Sequence, residues 1–417
     1  MDGVDTMPKS RVRIAVRKFD DFENALAEEI SIYTGLNPWC EVEAVPFDVE
    51  SLHVELFSHG GLKDGSWDLG FVVTDWLAEA AASRSLEDLT PYVQRQPIPD
   101  WPDGWANSLV APLYFGSSVY SLPWHDGPEC LIYRRDLFES KSERDNFLRQ
   151  YGYPLAAPKT WDQFRDVARF FTRPQAGLYG TLFAAFPDGH NTLYDFALQV
   201  WSRGGELTDG QGNITLDTPQ ARASLDYYRN LILDASTCHP EARKCDSTRA
   251  GDVFLSGAVA MMVNWFGFSA RCERPGSRLK GGVAIAPIPV DESCAPVSLS
   301  VFWTMGIGTG SREKQAAYDF LRFIAGTEQD RGIVRHGAVG VRLSTWRNRE
   351  VQKEMPVYQR LEELSLAARQ LPRSRNLPAF AEIINEVMTE ALEREDPSSS
   401  ILIRAQENAR KRGITLQ

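Results

Sequence analysis

Four tryptophans fall at the ends of short apolar runs, and side chains able to bind hydroxyl groups stand beside them. Trp76 follows Thr74 and Asp75, Trp124 precedes His125 and Asp126, Trp265 follows Asn264, and Trp303 follows Phe302. An indole offers a flat apolar face, and a carboxylate or amide can take hydrogen bonds from neighbouring hydroxyls. Together they suit a neutral polyhydroxylated ligand such as a sugar. His190 and Asn191, at the start of a predicted helix, are further candidates for hydroxyl contacts. Lys18 and Phe19 follow the first predicted strand, at the carboxyl-terminal edge where open α/β sheets bind ligands. An anionic ligand would require converging cations, which Arg17, Lys18 and Arg342 could supply. Every one of these residues also has an ordinary structural use. A Trp after an apolar run commonly packs in a core, Asp75 or Asn191 could cap the helix that follows, and the basic residues could be solvated surface charges.

Asp75 and Asp126 could also form the carboxylate pair that glycoside hydrolysis needs, although no pattern fixes their separation. The sequence holds no nucleophile elbow, zinc-ligand spacing or phosphate-binding loop. Gly306, Gly308 and Gly310 lack the G-x-G-x-x-G spacing and read as a tight strand-to-helix turn. Among six cysteines (Cys40, Cys130, Cys238, Cys245, Cys272 and Cys294) there is no C-x-x-C pair. Cys238 and Cys245 bracket His239 in a spacing foreign to common zinc sites, compatible with a local disulfide or with two free thiols. No metal and no cofactor is expected.

At 417 residues the chain exceeds the usual size of one hydrophobic core, so two domains are expected. A 43% hydrophobic and 24% charged composition is that of a globular protein. The net charge of −11 argues against a nucleic-acid partner. No apolar run reaches the roughly 18 residues of a membrane span. Residues 1–10 carry acids and no apolar core, so they do not read as a secretory signal.

These side chains need strand ends and helix starts to hold them. Alternation predicts a first strand over 11–16, followed by a helix over 22–33 with Phe22, Leu26, Ile30 and Tyr33 on one face. Further strands are expected over 42–47, 67–73 and 180–186. Thr160, with Gln163 three residues on, reads as a capping box, and Thr218 with Pro219 as another helix start. The stretch 253–268 is central: a helix closing at Gly257, then an apolar strand delivering Asn264 and Trp265. Residues 97–105, with three prolines and two tryptophans, could form a lid.

The order of these phrases carries a resemblance. Leu86-Glu87-Asp88-Leu89-Thr90, Leu131 to Phe138 (with Arg134 where Asn is usual), Ala157 to Phe164, Thr218-Pro219-Gln220-Ala221, Phe254-x-x-Gly257-x-x-Ala260-Met261, the Pro-stopped strand 282–289 and Ala316-Ala317-x-x-Phe320 follow one another across 11–412. In that order they resemble the family 1 extracellular solute-binding proteins, the carbohydrate-type, maltose-binding-protein-like receptors of ABC importers. The resemblance implies a two-lobed α/β periplasmic-binding-protein fold of type II, with a ligand cleft between the lobes and hinge crossings. The N-terminal lobe would comprise 1–125 and 287–332, and the C-terminal lobe 126–286 and 333–417. Residues 114–124 would lead to the first crossing, 282–289 would be the second, and 336–342 would return the chain to the second lobe. The implied function is to bind a sugar or oligosaccharide without altering it, with Trp265 stacking on a ring, and to deliver it as a monomer to a membrane permease. The family acts in the periplasm or outside the cell. A cytoplasmic sugar sensor on the same fold is the alternative suggested by the N-terminus, with a glycoside-processing enzyme behind it.

Overall fold

The computed structural model describes residues 9–416; residues 1–8, most of the acidic N-terminal stretch, and Gln417 lie outside them. The backbone forms two compact units, each built from two segments. Unit 1 combines the described residues up to Gly127 with Val301–Glu362, and unit 2 combines Pro128–Ser300 with the described residues from Glu363 on. In chain order the strands are β1 (Ser10–Arg17), β2 (Cys40–Phe47), β3 (Leu69–Val73), the short hairpin β4 (Tyr114–Phe115) and β5 (Ser118–Val119), and β6 (Leu122–His125). There follow β7 (Glu129–Arg134), β8 (Tyr179–Leu182), β9 (Val259–Trp265), β10 (Val283–Ala286), β11 (Ser298–Leu299), β12 (Trp303–Ile307) and β13 (Ala368–Arg369).

The sheet of unit 1 runs β2-β1-β3-β12-β6. β1 is parallel to both β2 and β3, while β12 runs antiparallel to β3 and β6. Parallel neighbours need a crossover, and the helix Asp20–Leu36 supplies the first one. It buries Phe22, Ala25, Leu26 and Tyr33, and carries Asp20, Asp21 and Glu23 in its first turn, where the helix dipole favours negative charge. The expected apolar face is present except that Ile30 is only half-buried and Glu29 takes a buried position. Every residue of β3 is buried, as in a strand covered on both faces.

In unit 2 the sheet order is β10-β7-β9-β8, with β7 antiparallel to β9 and β10 and with β8 parallel to β9. The central stretch forms as its pattern predicts. Helix Ser247–Leu255 is followed by Gly257 at φ +83°, and β9 then runs to Trp265. Thr218 accepts the Ala221 N–H, and Thr160 accepts that of Gln163 at 3.3 Å. The Gln163 side chain reaches back to the Lys159 N–H, one residue before the position a capping box uses.

The first crossing falls at Gly127, two residues beyond the expected boundary. The others lie elsewhere than the sequence suggested. Residues 287–300 stay with unit 2, because Val290 N donates to Lys159 O at 3.0 Å, Asp291 N to Ser202 O at 2.9 Å, and β11 pairs in parallel with β13. Residues 333–362 stay with unit 1. The Asp330 carboxylate accepts the N–H groups of Val341 and Arg342 at 2.7 and 3.1 Å, and Trp346 Nε1 donates to Gly340 O at 2.6 Å. The proline-rich 97–105 segment packs within unit 1 and is no free lid. Ile98 and Trp105 are buried, and Arg322 Nε and Arg342 donate to its Pro97 and Pro99 carbonyls. Among the described residues no helix is long and apolar enough to cross a membrane, and the six cysteines carry free thiols.

Candidate functional site

The carboxyl-terminal edge of the unit 1 sheet gathers aromatic rings around one cation. β1 ends at Arg17, whose guanidinium carbon lies 5.2, 5.8 and 5.3 Å from the ring centroids of Phe19, Phe22 and Trp303. Such distances are within reach of a cation–π attraction. Trp303 opens β12, opposite Val73 of β3 and His125 of β6, so three strand ends converge on it. Trp76, on the turn Thr74–Trp76 after β3, meets Trp303 edge-on at 5.8 Å and His53 at 5.0 Å. Lys18 is exposed, Phe19 and Asp75 are half-buried, and Trp76 rather than Asp75 holds the N-cap position of Leu77–Ser83.

Several candidates in this unit have their polar atoms committed internally. Thr74 and Phe302 tie β3 to the approach of β12: Thr74 N donates to Phe302 O at 3.0 Å, and Phe302 N to Thr74 Oγ1 at 3.3 Å. Phe302 is fully buried. Trp124 is buried, edge-on to Phe22 and Phe71, and its Nε1 donates to Glu29 Oε2 at 3.0 Å. Asp126 is buried, and its N–H donates to Val339 O at 3.3 Å. Arg342 is 1% exposed, with its guanidinium donating to Ala325 O, Pro99 O and Asp100 Oδ2. These placements make core and staple residues of Phe302, Trp124 and Arg342.

His125 is different. Its Nδ1 accepts the Val339 N–H at 2.8 Å, so Nε2 bears the proton. Burial, reinforced by the nearby Arg17 charge, lowers its pKa to about 3, and the ring is a neutral donor at physiological pH.

In unit 2 the site candidates cluster where β9 ends. Asn264 is buried and turned inward: its Nδ2 donates to Ser247 O at 3.0 Å and its Oδ1 accepts the Trp265 N–H at 2.8 Å. It shapes the turn that presents Trp265. Trp265 remains half-buried and meets Tyr194 edge-on at 5.5 Å. Tyr194 belongs to the helix Asn191–Trp201, and its hydroxyl lies 3.2 Å from His190 Nδ1. Asp188, not Asn191, caps this helix start, accepting the N–H groups of His190 and Asn191 at 2.8 Å each. The Asn191 amide also donates to Asp188.

Two carboxyls that the motif reading passed over lie in the same region. Glu129 opens β7 directly opposite Trp265, and Asp195 follows Tyr194. Burial, with repulsion from Asp195, pushes Glu129 well above the usual carboxylate range, and burial, with repulsion from Asp188, pushes Asp195 up to about 8. Their sequence signal was an acid heading an apolar strand and another on the inward side of a fully buried helix. Among the described residues no group of three or more His, Cys, Asp or Glu is placed to hold a metal ion.

The family model of the bacterial extracellular solute-binding proteins matches residues 26–331. The chain belongs to this family. It is a family of binding proteins and not of enzymes, which disposes of the glycosidase reading of Asp75 and Asp126. A Deinococcus radiodurans protein described as a probable ABC transporter-binding protein is 26% identical over 254 residues, 58% of this chain and 56% of the relative. The chain thus spans little more than half of that relative's length. Maltose-bound MalE3 of T. maritima superposes with a TM-score of 0.84 at 22% identity, covering 96% of this chain and 99% of its own. An ABC transporter solute-binding protein of Agrobacterium radiobacter K84 in complex with ribitol gives 0.84 at 20% identity, covering 96% and 98%. At these identities the likeness shows the fold: a mixed α/β periplasmic-binding-protein architecture with one main sheet in each unit.

Proposed function

We propose that this solute-binding protein recognises a neutral sugar, as a monosaccharide, sugar alcohol or oligosaccharide, and delivers it to the membrane permease of an ABC importer. Its place of work would be the periplasm or the cell exterior. The observation that carries this reading is Trp265. Of the four strand-end indoles it alone keeps substantial exposure, while Trp76, Trp124 and Trp303 are buried. Asn264 and Tyr194 fix it by its backbone and by its edge. A fixed, part-exposed indole is the kind of surface on which the apolar face of a pyranose or polyol can lie. The ligands of the two similar structures, maltose and ribitol, support the class without naming the member.

Unit 1 carries polar groups at its own sheet edge. His125 offers a neutral N–H donor, Asp75 a partly exposed carboxylate, and Arg17 a cation laid among aromatic rings. Delivery requires free and loaded states that differ, and only a difference in the ligand's affinity for the two can drive that change.

The test is a thermal-shift screen with maltose, ribitol, D-mannitol, D-tagatose and one anionic sugar, glucose 6-phosphate. A ligand present at about 100 times its Kd stabilises the folded state by about 2.7 kcal/mol. At least one neutral member is expected to raise the melting temperature, and Trp265→Ala to abolish the rise. A shift that survives this substitution removes Trp265 from the site, and a response to the phosphate alone refutes the neutral class.

A further inference from the structure

At the unit 1 sheet edge one nitrogen of His125 is held by the protein and the other is not. Nδ1 accepts the Val339 N–H at 2.8 Å, and the Asp126 N–H donates back to Val339 O at 3.3 Å, so the end of β6 and Val339 are joined at two points. Nε2 bears the proton, and no acceptor among the described residues takes it. The ring is half-buried, and Nε2 is not one of the polar atoms sealed from solvent.

Val339 must itself be held. Residues 338–341 belong to no helix or strand, so no ladder directs their N–H groups. The carboxylate of Asp330, on the helix Thr327–Val334 and 3% exposed, takes that part: Oδ1 accepts the Val341 N–H at 2.7 Å and Oδ2 the Arg342 N–H at 3.1 Å. Gly340 permits the approach, since a Cβ there would stand 2.8 Å from Asp330 Oδ2 and 2.9 Å from the Asp330 carbonyl oxygen. Trp346 Nε1 closes on Gly340 O at 2.6 Å. Charge-assisted bonds to two successive N–H groups fix a backbone in direction as well as in place. Only Gly340 separates Val339 from the first of them.

We propose that Asp330 is a positioning residue for the bound sugar: by holding the 340–342 backbone it aims the Val339 N–H at His125 Nδ1, which turns the ring and leaves Nε2–H as the donor to a ligand oxygen. A neutral imidazole has one donor and one acceptor nitrogen, so a group that engages one of them decides what the other offers. This rests on the sugar-binding reading and adds to it the residue that orients one of its donors. The charges nearby suit a neutral ring. Arg17 opposes a second positive charge on His125, Glu29 is engaged by Trp124 Nε1, and His336 and Arg335, at the head of the segment, pair with Glu28.

The experiment joins two readouts. In 15N NMR at pH 7 the wild-type His125 ring should show one fixed tautomer, with Nε2 protonated and Nδ1 not. Asp330→Asn offers one acceptor oxygen to two N–H groups, and both ring signals should move toward tautomer-averaged positions. Titration calorimetry then gives the Kd of whichever of maltose, ribitol, D-mannitol or D-tagatose binds. Asp330→Asn should weaken it about three- to tenfold, the size of one hydrogen bond. In a His125→Phe background the same substitution should cost nothing further, because both changes remove one contact. If Asp330→Asn does not fold, Gly340→Ala, which presses on the carboxylate, replaces it in both readouts. A wild-type tautomer in the variant, a Kd unchanged by His125→Phe, or losses that add in the double variant overturns the positioning role and leaves the sugar-binding reading intact. Absence of binding by every probe to the wild type overturns both.

Discussion

Replacing Arg342 separates a residue that binds ligand from one that holds its own unit together. Its Nη1 donates to Ala325 O at 2.7 Å, both Nη atoms reach Pro99 O at 3.3 Å, and Nη2 meets Asp100 Oδ2 at 2.8 Å. The guanidinium also lies 4.2 Å from the centroid of Trp105. The Asp100 side chain is 69% exposed, so that ion pair contributes about 0–1 kcal/mol. The carbonyls, above all that of buried Ala325, count for more. A charge-assisted hydrogen bond contributes about 1.5–3 kcal/mol, and a buried acceptor left without its donor costs about 1–3 kcal/mol. The stacking on Trp105 adds about 0.5–2 kcal/mol. Arg342→Met, which keeps the aliphatic stem, should therefore destabilise unit 1 by about 3–5 kcal/mol. At about 2–4 °C per kcal/mol for a domain of this class, the transition of that unit should fall by roughly 10 °C. Scanning calorimetry reads this directly, and the sugar Kd measured well below the new transition should be unchanged. Wild-type melting combined with lost affinity would refute the reasoning and return Arg342 to the ligand site.

Glu29, Glu129, Asp195 and Asp330 all have pKa values raised by burial, Asp195 to about 8. Across the interval from the unfolded carboxylate value near 4 up to those raised values the folded chain holds protons that the unfolded chain has released, so stability falls as pH rises through it. Calorimetry should give a higher melting temperature at pH 5.5 than at pH 8.5, with a smaller difference in Glu129→Gln; a melting temperature that climbs with pH over this range would contradict it. His125, with its pKa lowered to about 3, should show no imidazole titration by NMR between pH 5 and pH 8; a midpoint inside that window would mean that the ring is hydrated and its Nδ1 bond to Val339 broken.

Local pattern made most of the fold legible. β9 after Gly257 and the Thr160 and Thr218 helix starts follow from backbone preferences that act over a few residues. The second and third crossings do not. Pro287 and Pro289 stop a strand as the sequence suggests, but stopping a strand does not say where the chain goes next. What keeps 287–300 in unit 2 is β11 pairing with β13, residues far apart in sequence. What keeps 333–362 in unit 1 is one carboxylate, Asp330, turned onto the N–H groups of Val341 and Arg342. Neither contact has a periodicity to reveal it.

The candidate site divides along the same line, and the tryptophans show why. All four stand at strand ends, and strand ends are what a sequence can locate. Whether an indole at such an end is swallowed or presented depends on which partner claims its polar edge and its faces. Trp124 Nε1 is claimed by Glu29, an acid on the inward side of the helix Asp20–Leu36, with Phe22 and Phe71 against the ring. Trp265 is held by its backbone through Asn264 and by an edge contact with Tyr194, and it remains half-exposed. The same logic explains the overlooked acids. Glu129 and Asp195 sit in segments that read as apolar core, where an ionisable group looks like an exception to be tolerated. Burying a carboxyl without a cation is expensive, so a reading that expects apolar residues in the interior has no reason to look for two acids there.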